Sequence, residues 1–251
     1  MQCKGKEMMM GIKVIVCESY EEMSLRAAQI FAAEIREKPT AVLGLATGST
    51  PVGMYTELAR MHREEGLDFS RITSFNLDEY YPISPENDQS YRYFMEKNFF
   101  EHINIEKKNT FVPKGDAENA EAECARYDDM IVKAGGIDIQ VLGIGVNGHI
   151  AFNEPDEALI AATHVTTLTD STVEANSRFF ASKDDVPRHA LTMGIGSIMH
   201  ARRIVLLASG ANKREALAKV LSGKISTDCP ASILNAHSDT VILCDKAAFG
   251  A

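Results

Sequence analysis

Positive charge is in short supply in this chain. Its 251 residues carry 26 Lys and Arg against 35 Asp and Glu, for a formal net charge of -9. Such a balance repels polyanions and disfavours nucleic acid as a partner. No C-x-x-C pair occurs among the five cysteines (Cys3, Cys17, Cys124, Cys229 and Cys244), and their number is odd. That argues against a disulfide framework or a zinc site and suits reduced thiols in the cytoplasm. Cys17 and Cys244 sit in apolar runs, as core filler does. Apolar runs of membrane-spanning length are missing, and "MQCKGKEMMMGIKV" at the start holds no signal-peptide core. Residues 1–10 are expected to be a disordered leader or an alternative start. No linker, charge block or repeat divides the remainder, so residues 11–251 are expected to form one domain.

What the chain does have is a regular alternation of apolar strand, loop and amphipathic helix. "IKVIVC" reads as a strand, and Ser19 with Glu22 three residues later has the spacing of a capping box opening the next helix. "AVLGLA", "ITSFN", "IDIQVLGIG", "RRIVLLASG" and "TVILCD" read as further strands, and "HVTTLT" as another candidate. Near-continuous apolar strands between helices predict an α/β fold, a mostly parallel sheet with helices on both faces. Ligands of such sheets bind beyond the carboxyl ends of the strands, where the polar clusters of this sequence fall.

In "ATGSTP", Gly48, Ser49 and Thr50 fill a turn between a strand and a helix opened by Pro51. Free N–H groups and the helix dipole favour an anion there; a plain turn with Thr50 as helix cap is the alternative. In "SGANK", Lys213 stands in a first helical turn, where a cation opposes the dipole unless an anion joins it. In "FNLDEYYPIS", Asp78 and Glu79 follow a strand directly, with tyrosines behind them; a carboxylate so shielded makes a good proton acceptor, although an aspartate capping a loop is the commoner use.

"GIGVNGHIAFNEP" contains G-x-G-x-x-G after a strand, but Pro155 stands where a helix should continue, which speaks against a dinucleotide site. Its side chains are more informative. His149 can carry a proton near neutral pH, Glu154 can orient its ring, and Asn147 can hydrogen-bond a ligand or the imidazole. No second histidine lies at ligand spacing, so no metal is expected, and with the dinucleotide reading set aside no cofactor is expected. Arg178, in "ANSRFF", suits bidentate phosphate contact. These residues sum to a site for a phosphorylated small molecule with a carboxylate base and a histidine acid/base. Proton abstraction beside a carbonyl and hydrolysis of an ester or lactone both remain open.

From about Gly11 to Asp245 the sequence resembles the glucosamine-6-phosphate deaminases, with "LATGSTP", "FNLDEY", "GIGVNGHIAFNEP" and "NSRFF" in family order. The resemblance implies a modified Rossmann-like sheet and deamination of glucosamine 6-phosphate to fructose 6-phosphate in amino-sugar catabolism, without metal or nucleotide. It implies that Asp78 moves the proton between C2 and C1, that His149 opens the ring with Glu154 in support, and that Gly48, Ser49, Thr50, Arg178 and Lys213 hold the phosphate. The chain departs from the allosteric members of the family at Asn147, where they have aspartate. It departs again at His164 and Thr166, where they carry basic residues for an anionic effector, and it lacks the C-terminal extension of the hexameric forms. These departures imply a non-allosteric monomer. A 6-phosphogluconolactonase-like hydrolase is the nearest rival; a sugar-phosphate sensor is a more distant one.

Overall fold

The computed structural model describes residues 7–9, 12–170, 173–174, 180, 182 and 185–251. Eleven strands occur among them: β1 (Glu7–Met9), β2 (Ile12–Cys17), β3 (Val42–Leu45), β4 (Thr73–Asn76), β5 (Asp78–Tyr81), β6 (Thr110–Phe111), β7 (Ile139–Gly143), β8 (His164–Thr167), β9 (His189–Thr192), β10 (Arg203–Ala208) and β11 (Thr240–Asp245). Eight form one sheet in the order β1-β2-β11-β10-β7-β3-β4-β6. Every pairing in it is parallel except that of β1 with β2. The stretch expected to be a leader thus contributes an edge strand.

Parallel strands need crossovers, and helices supply them: α1 (Tyr20–Glu37), α2 (Val52–Glu65), α3 (Tyr91–Asn98), α4 (Ala120–Lys133), α5 (Ile195–Met199) and α6 (Arg214–Leu221), with α7 (Lys246–Phe249) following the last strand. Ser19 caps α1 by accepting the Glu22 N–H, and Glu22 accepts the Glu18 N–H in return, a variant of the expected capping box. All residues of β3 and β11 are buried, so side chains on both faces of the sheet are covered by packing. Cys17 and Cys244 lie fully in that core with free thiols; burial pushes Cys17 up to about 11 and Cys244 up to about 12.

From β3 the chain progresses outward through β4 and β6; from β7 it progresses the other way through β10 and β11. The β3–β7 boundary is therefore the switch point where a crevice opens at the carboxyl ends. The four strands that precede the polar clusters, β10, β7, β3 and β4, are consecutive neighbours.

One departure from expectation bears on the site. Asp78 and Glu79 do not start a loop. They begin β5, which pairs antiparallel with β9, and β9 with β8, in a separate three-stranded sheet. Only Leu77 separates β4 from β5, so the chain leaves one sheet and enters the other within one residue. Tyr80 and Tyr81 suit a strand, and the pairing of Asp78 with Thr192 holds the acid in place.

Candidate active site

A cavity of about 290 Å³ opens at the switch point, lined among others by Gly48, Ser49, Thr50, Asp78, Asn147, His149 and Lys213. The fold thus brings together residues that follow β3, β7 and β10 with the first residue of β5. Leu77, Tyr91 and Phe152 complete its wall. Arg178 lies outside the described residues.

Two tyrosines that sequence reasoning missed moor the turn after β3. Tyr20 Oη donates to the Ser49 carbonyl at 3.0 Å and accepts the Gly53 N–H at 2.8 Å. Tyr55 Oη donates to the Ala46 carbonyl at 2.6 Å and accepts the Ala46 N–H at 3.1 Å. Helix α2 starts with Pro51 at its N-cap and no side-chain cap. Thr50 therefore does not cap the helix, and it lines the cavity.

Lys213 is carried by a turn held from a neighbouring strand. A 3-10 turn spans Ala211–Lys213 ahead of α6. Just before it, Ser209 Oγ donates to Asp245 Oδ2 at 2.6 Å, and the Gly210 N–H donates to the same oxygen at 3.0 Å. Asp245 also caps α7 through the Ala248 N–H. One buried carboxylate at the end of β11 so fixes the approach of Lys213 to the cavity.

Glu154, outside the lining, organises the loop after β7. Its Oε2 accepts Asn147 Nδ2 at 2.6 Å and lies 3.1 Å from His149 Nδ1. The His149 N–H donates to Asn147 Oδ1 at 3.2 Å. With Nδ1 directed at a carboxylate, the neutral imidazole carries its lone pair on Nε2, the nitrogen that then exchanges protons with a ligand. Asn147 joins the network as a donor to Glu154, where an aspartate would bring a second negative charge.

Asp78 is 6% exposed. Burial, and then the charge of Glu79, push its carboxyl up to about 8. Glu79 is itself pushed up to about 7 by burial, against the pull of three backbone N–H donors and Arg92. The sign of the consequence follows from linkage. Between about pH 4 and pH 8 the folded Asp78 holds a proton that the unfolded chain has released, so stability falls as pH rises through that window. The melting temperature of the ligand-free protein should therefore drop between pH 5 and pH 8.5, and Asp78→Asn should flatten the drop. Thermal scans across pH check this; an equal slope in the variant would contradict it.

Among the described residues no group of three or more His, Cys, Asp or Glu side chains is placed to hold a metal, and no helix is long and apolar enough to cross a membrane.

The sequence model of the glucosamine-6-phosphate isomerases and 6-phosphogluconolactonases matches residues 18–243. The glucosamine-6-phosphate deaminase of Thermoanaerobacter sp. strain X514 is 56% identical over 237 residues, 94% of each chain. That of Clostridium perfringens strain 13 is 57% identical over 235 residues, 94% of this chain and 97% of its own. A solved monomeric glucosamine-6-phosphate deaminase superposes with a TM-score of 0.93 at 50% identity, covering 94% of this chain and 98% of that one. The 6-phosphogluconolactonase of Trypanosoma cruzi shares the fold, with a TM-score of 0.75 at 21% identity over 96% of this chain and 97% of its own.

Proposed function

Because the chain belongs to the family of glucosamine-6-phosphate isomerases and 6-phosphogluconolactonases, we infer the roles of its cavity residues from the reaction they must perform. The chain is a glucosamine-6-phosphate deaminase: it converts glucosamine 6-phosphate and water to fructose 6-phosphate and ammonia.

The pyranose has no acidic C2 hydrogen, so ring opening comes first. His149, oriented by Glu154, takes the C1 hydroxyl proton and returns one to the ring oxygen as the C1–O5 bond breaks. The aldehyde then acidifies C2. Asp78 as carboxylate removes that proton; its electron pair forms the C1–C2 double bond of an enolamine while the carbonyl pair moves to O1, which takes up a proton from water. Protonation at C1 by Asp78 leaves an iminium at C2. Water adds there, and ammonia leaves with the C–N electron pair. Gly48, Ser49, Thr50, Lys213 and Arg178 grip the phosphate, turning remote binding energy into orientation of the open chain. Asn147 holds Glu154 in place.

The single observation that supports these roles best is a buried carboxyl, pushed up to about 8, that shares one cavity with a carboxylate-oriented imidazole and the Gly48–Thr50 turn. A base of that strength, held near its own protonation midpoint, suits reversible proton shuttling. The rival hydrolysis of a lactone needs no base that returns its proton to carbon. The test is direct: the protein should release ammonia from glucosamine 6-phosphate and leave 6-phosphogluconolactone at its spontaneous rate. Lactone hydrolysis without ammonia would defeat this assignment.

The chain acts as a monomer in this account. A monomeric relative of 50% identity supports that, as do the uncharged Thr166 and the lone His164 on β8. Sedimentation should give one chain per particle and rate curves should be hyperbolic; a hexamer with sigmoidal kinetics would refute it.

A further inference from the structure

Glu79 takes no part in the steps above, yet it is 1% exposed and adjoins the base. Asp78 faces the substrate cavity. Glu79, the next residue along the strand, borders a second cavity of about 390 Å³ with Arg92, Lys114, Asp116 and Arg126. Its carboxylate is fully engaged. Oε1 accepts the N–H of Tyr80 at 2.9 Å and of Tyr91 at 2.8 Å, and Oε2 accepts the N–H of Arg92 at 2.9 Å. Tyr91 and Arg92 are the first two residues of α3, whose N-cap Ser90 serves the Tyr93 N–H instead. The strand that bears the base thus holds the start of the helix that bears Tyr91. The Tyr91 ring lines the substrate cavity, 4.8 Å from Tyr80 and 6.2 Å from Phe152 between ring centroids.

We propose that Glu79 is a positioning residue for the proton transfer: its two hydrogen bonds to the Tyr91 and Arg92 N–H groups lock the N-terminus of α3 onto β5 and so fix the spacing between Asp78 and Tyr91 across the substrate cavity. This deepens the deaminase mechanism and rests on Asp78 being its base. The charge of Glu79 has two further effects. The negative charge of Glu79 opposes ionisation of Asp78 directly. It also neutralises the positive end of α3, which would otherwise favour the Asp78 carboxylate and weaken the base. The charged and titratable groups facing Glu79 are Asp78 and Tyr80 on its own strand, Tyr91 and Arg92 on α3, and Lys114, Asp116 and Arg126 around the second cavity. Of these, Arg92 draws Glu79 down and burial outweighs it.

The test compares Glu79→Gln and Glu79→Asp with the wild type. Gln removes the charge and turns an amide donor toward helix N–H groups. The acid limb of kcat/KM should move about one unit to lower pH, with kcat reduced about tenfold and KM within about threefold. Asp keeps the charge but is too short to reach α3. Its limb should stay in place while kcat falls by a similar factor. Should either variant fail to fold, the wild type itself decides: the Tyr91 and Arg92 amide resonances should shift together as Glu79 titrates, since both donate to its carboxylate. Amides that do not titrate, or a Glu79→Gln protein with an unmoved limb and kcat, would overturn the proposal. So would activity lost only in proportion to folded protein. The amide titration needs no turnover, so it separates this idea from the deaminase mechanism, which falls if the wild type releases no ammonia.

Discussion

Gly145→Ala should silence turnover by about a hundredfold or more while the protein stays folded. A Cβ at this position would lie 2.3 Å from His149 Cε1, 2.4 Å from Nδ1 and 2.5 Å from Nε2. Those separations are far inside van der Waals contact. Gly145 does not occupy the left-handed region, so the backbone accepts alanine and the whole conflict falls on the imidazole. The ring is about a quarter exposed and can swing away, but it then leaves Glu154 Oε2, 3.1 Å from Nδ1, and with it the orientation for ring opening. Affinity for fructose 6-phosphate should persist, because the phosphate turn is untouched. Gly148→Ala makes the contrast. Gly148 has φ +90° and a Cβ there would meet Cys229 Sγ at 2.5 Å, so that variant should lose stability first. Ammonia release, product binding and thermal melts on the two variants check this, and near-normal turnover in Gly145→Ala would contradict it.

Asp78→Asn is expected to cost more, about a thousandfold in kcat, the middle of the range for removing a general base. Asparagine keeps the shape of the side chain and cannot accept the C2 proton. Binding of fructose 6-phosphate should stay within about threefold, since no phosphate contact is lost. The variant should also be the more stable protein at alkaline pH, because it no longer forces a carboxyl with a value of about 8 to ionise in a buried place. Loss of activity joined to a gain in stability is the signature of a group strained for its task. Loss of both would mark Asp78 as structural.

Much of this was legible in the sequence because local rules and the fold agree. The parallel strands read as apolar runs since both their faces are buried, and the Ser19 cap follows from spacing alone. The Gly48–Thr50 turn and the His149 loop were visible as polar residues massed after strands, and both line the cavity. What stayed hidden depends on distant partners. β5 is four residues long and pairs with β9 more than a hundred residues away, so Asp78 and Glu79 looked like loop acids. Tyr20 and Tyr55 sit at ordinary core spacings of their helices, and nothing local says that their hydroxyls hold the turn after β3. The grip of Asp245 on Ser209 and Gly210 joins neighbouring strand ends that only the sheet order brings together.

The claim at the centre is that Asp78 itself carries hydrogen from C2 to C1. Glucosamine 6-phosphate deuterated at C2 tests it, read by NMR in ordinary water. With the wild type, the label should leave C2 in step with ammonia release and appear at C1 or in the solvent. With Asp78→Asn, under conditions where product binding shows the site intact, the label should remain at C2. Stripping of that label by Asp78→Asn at the wild-type rate would contradict the account.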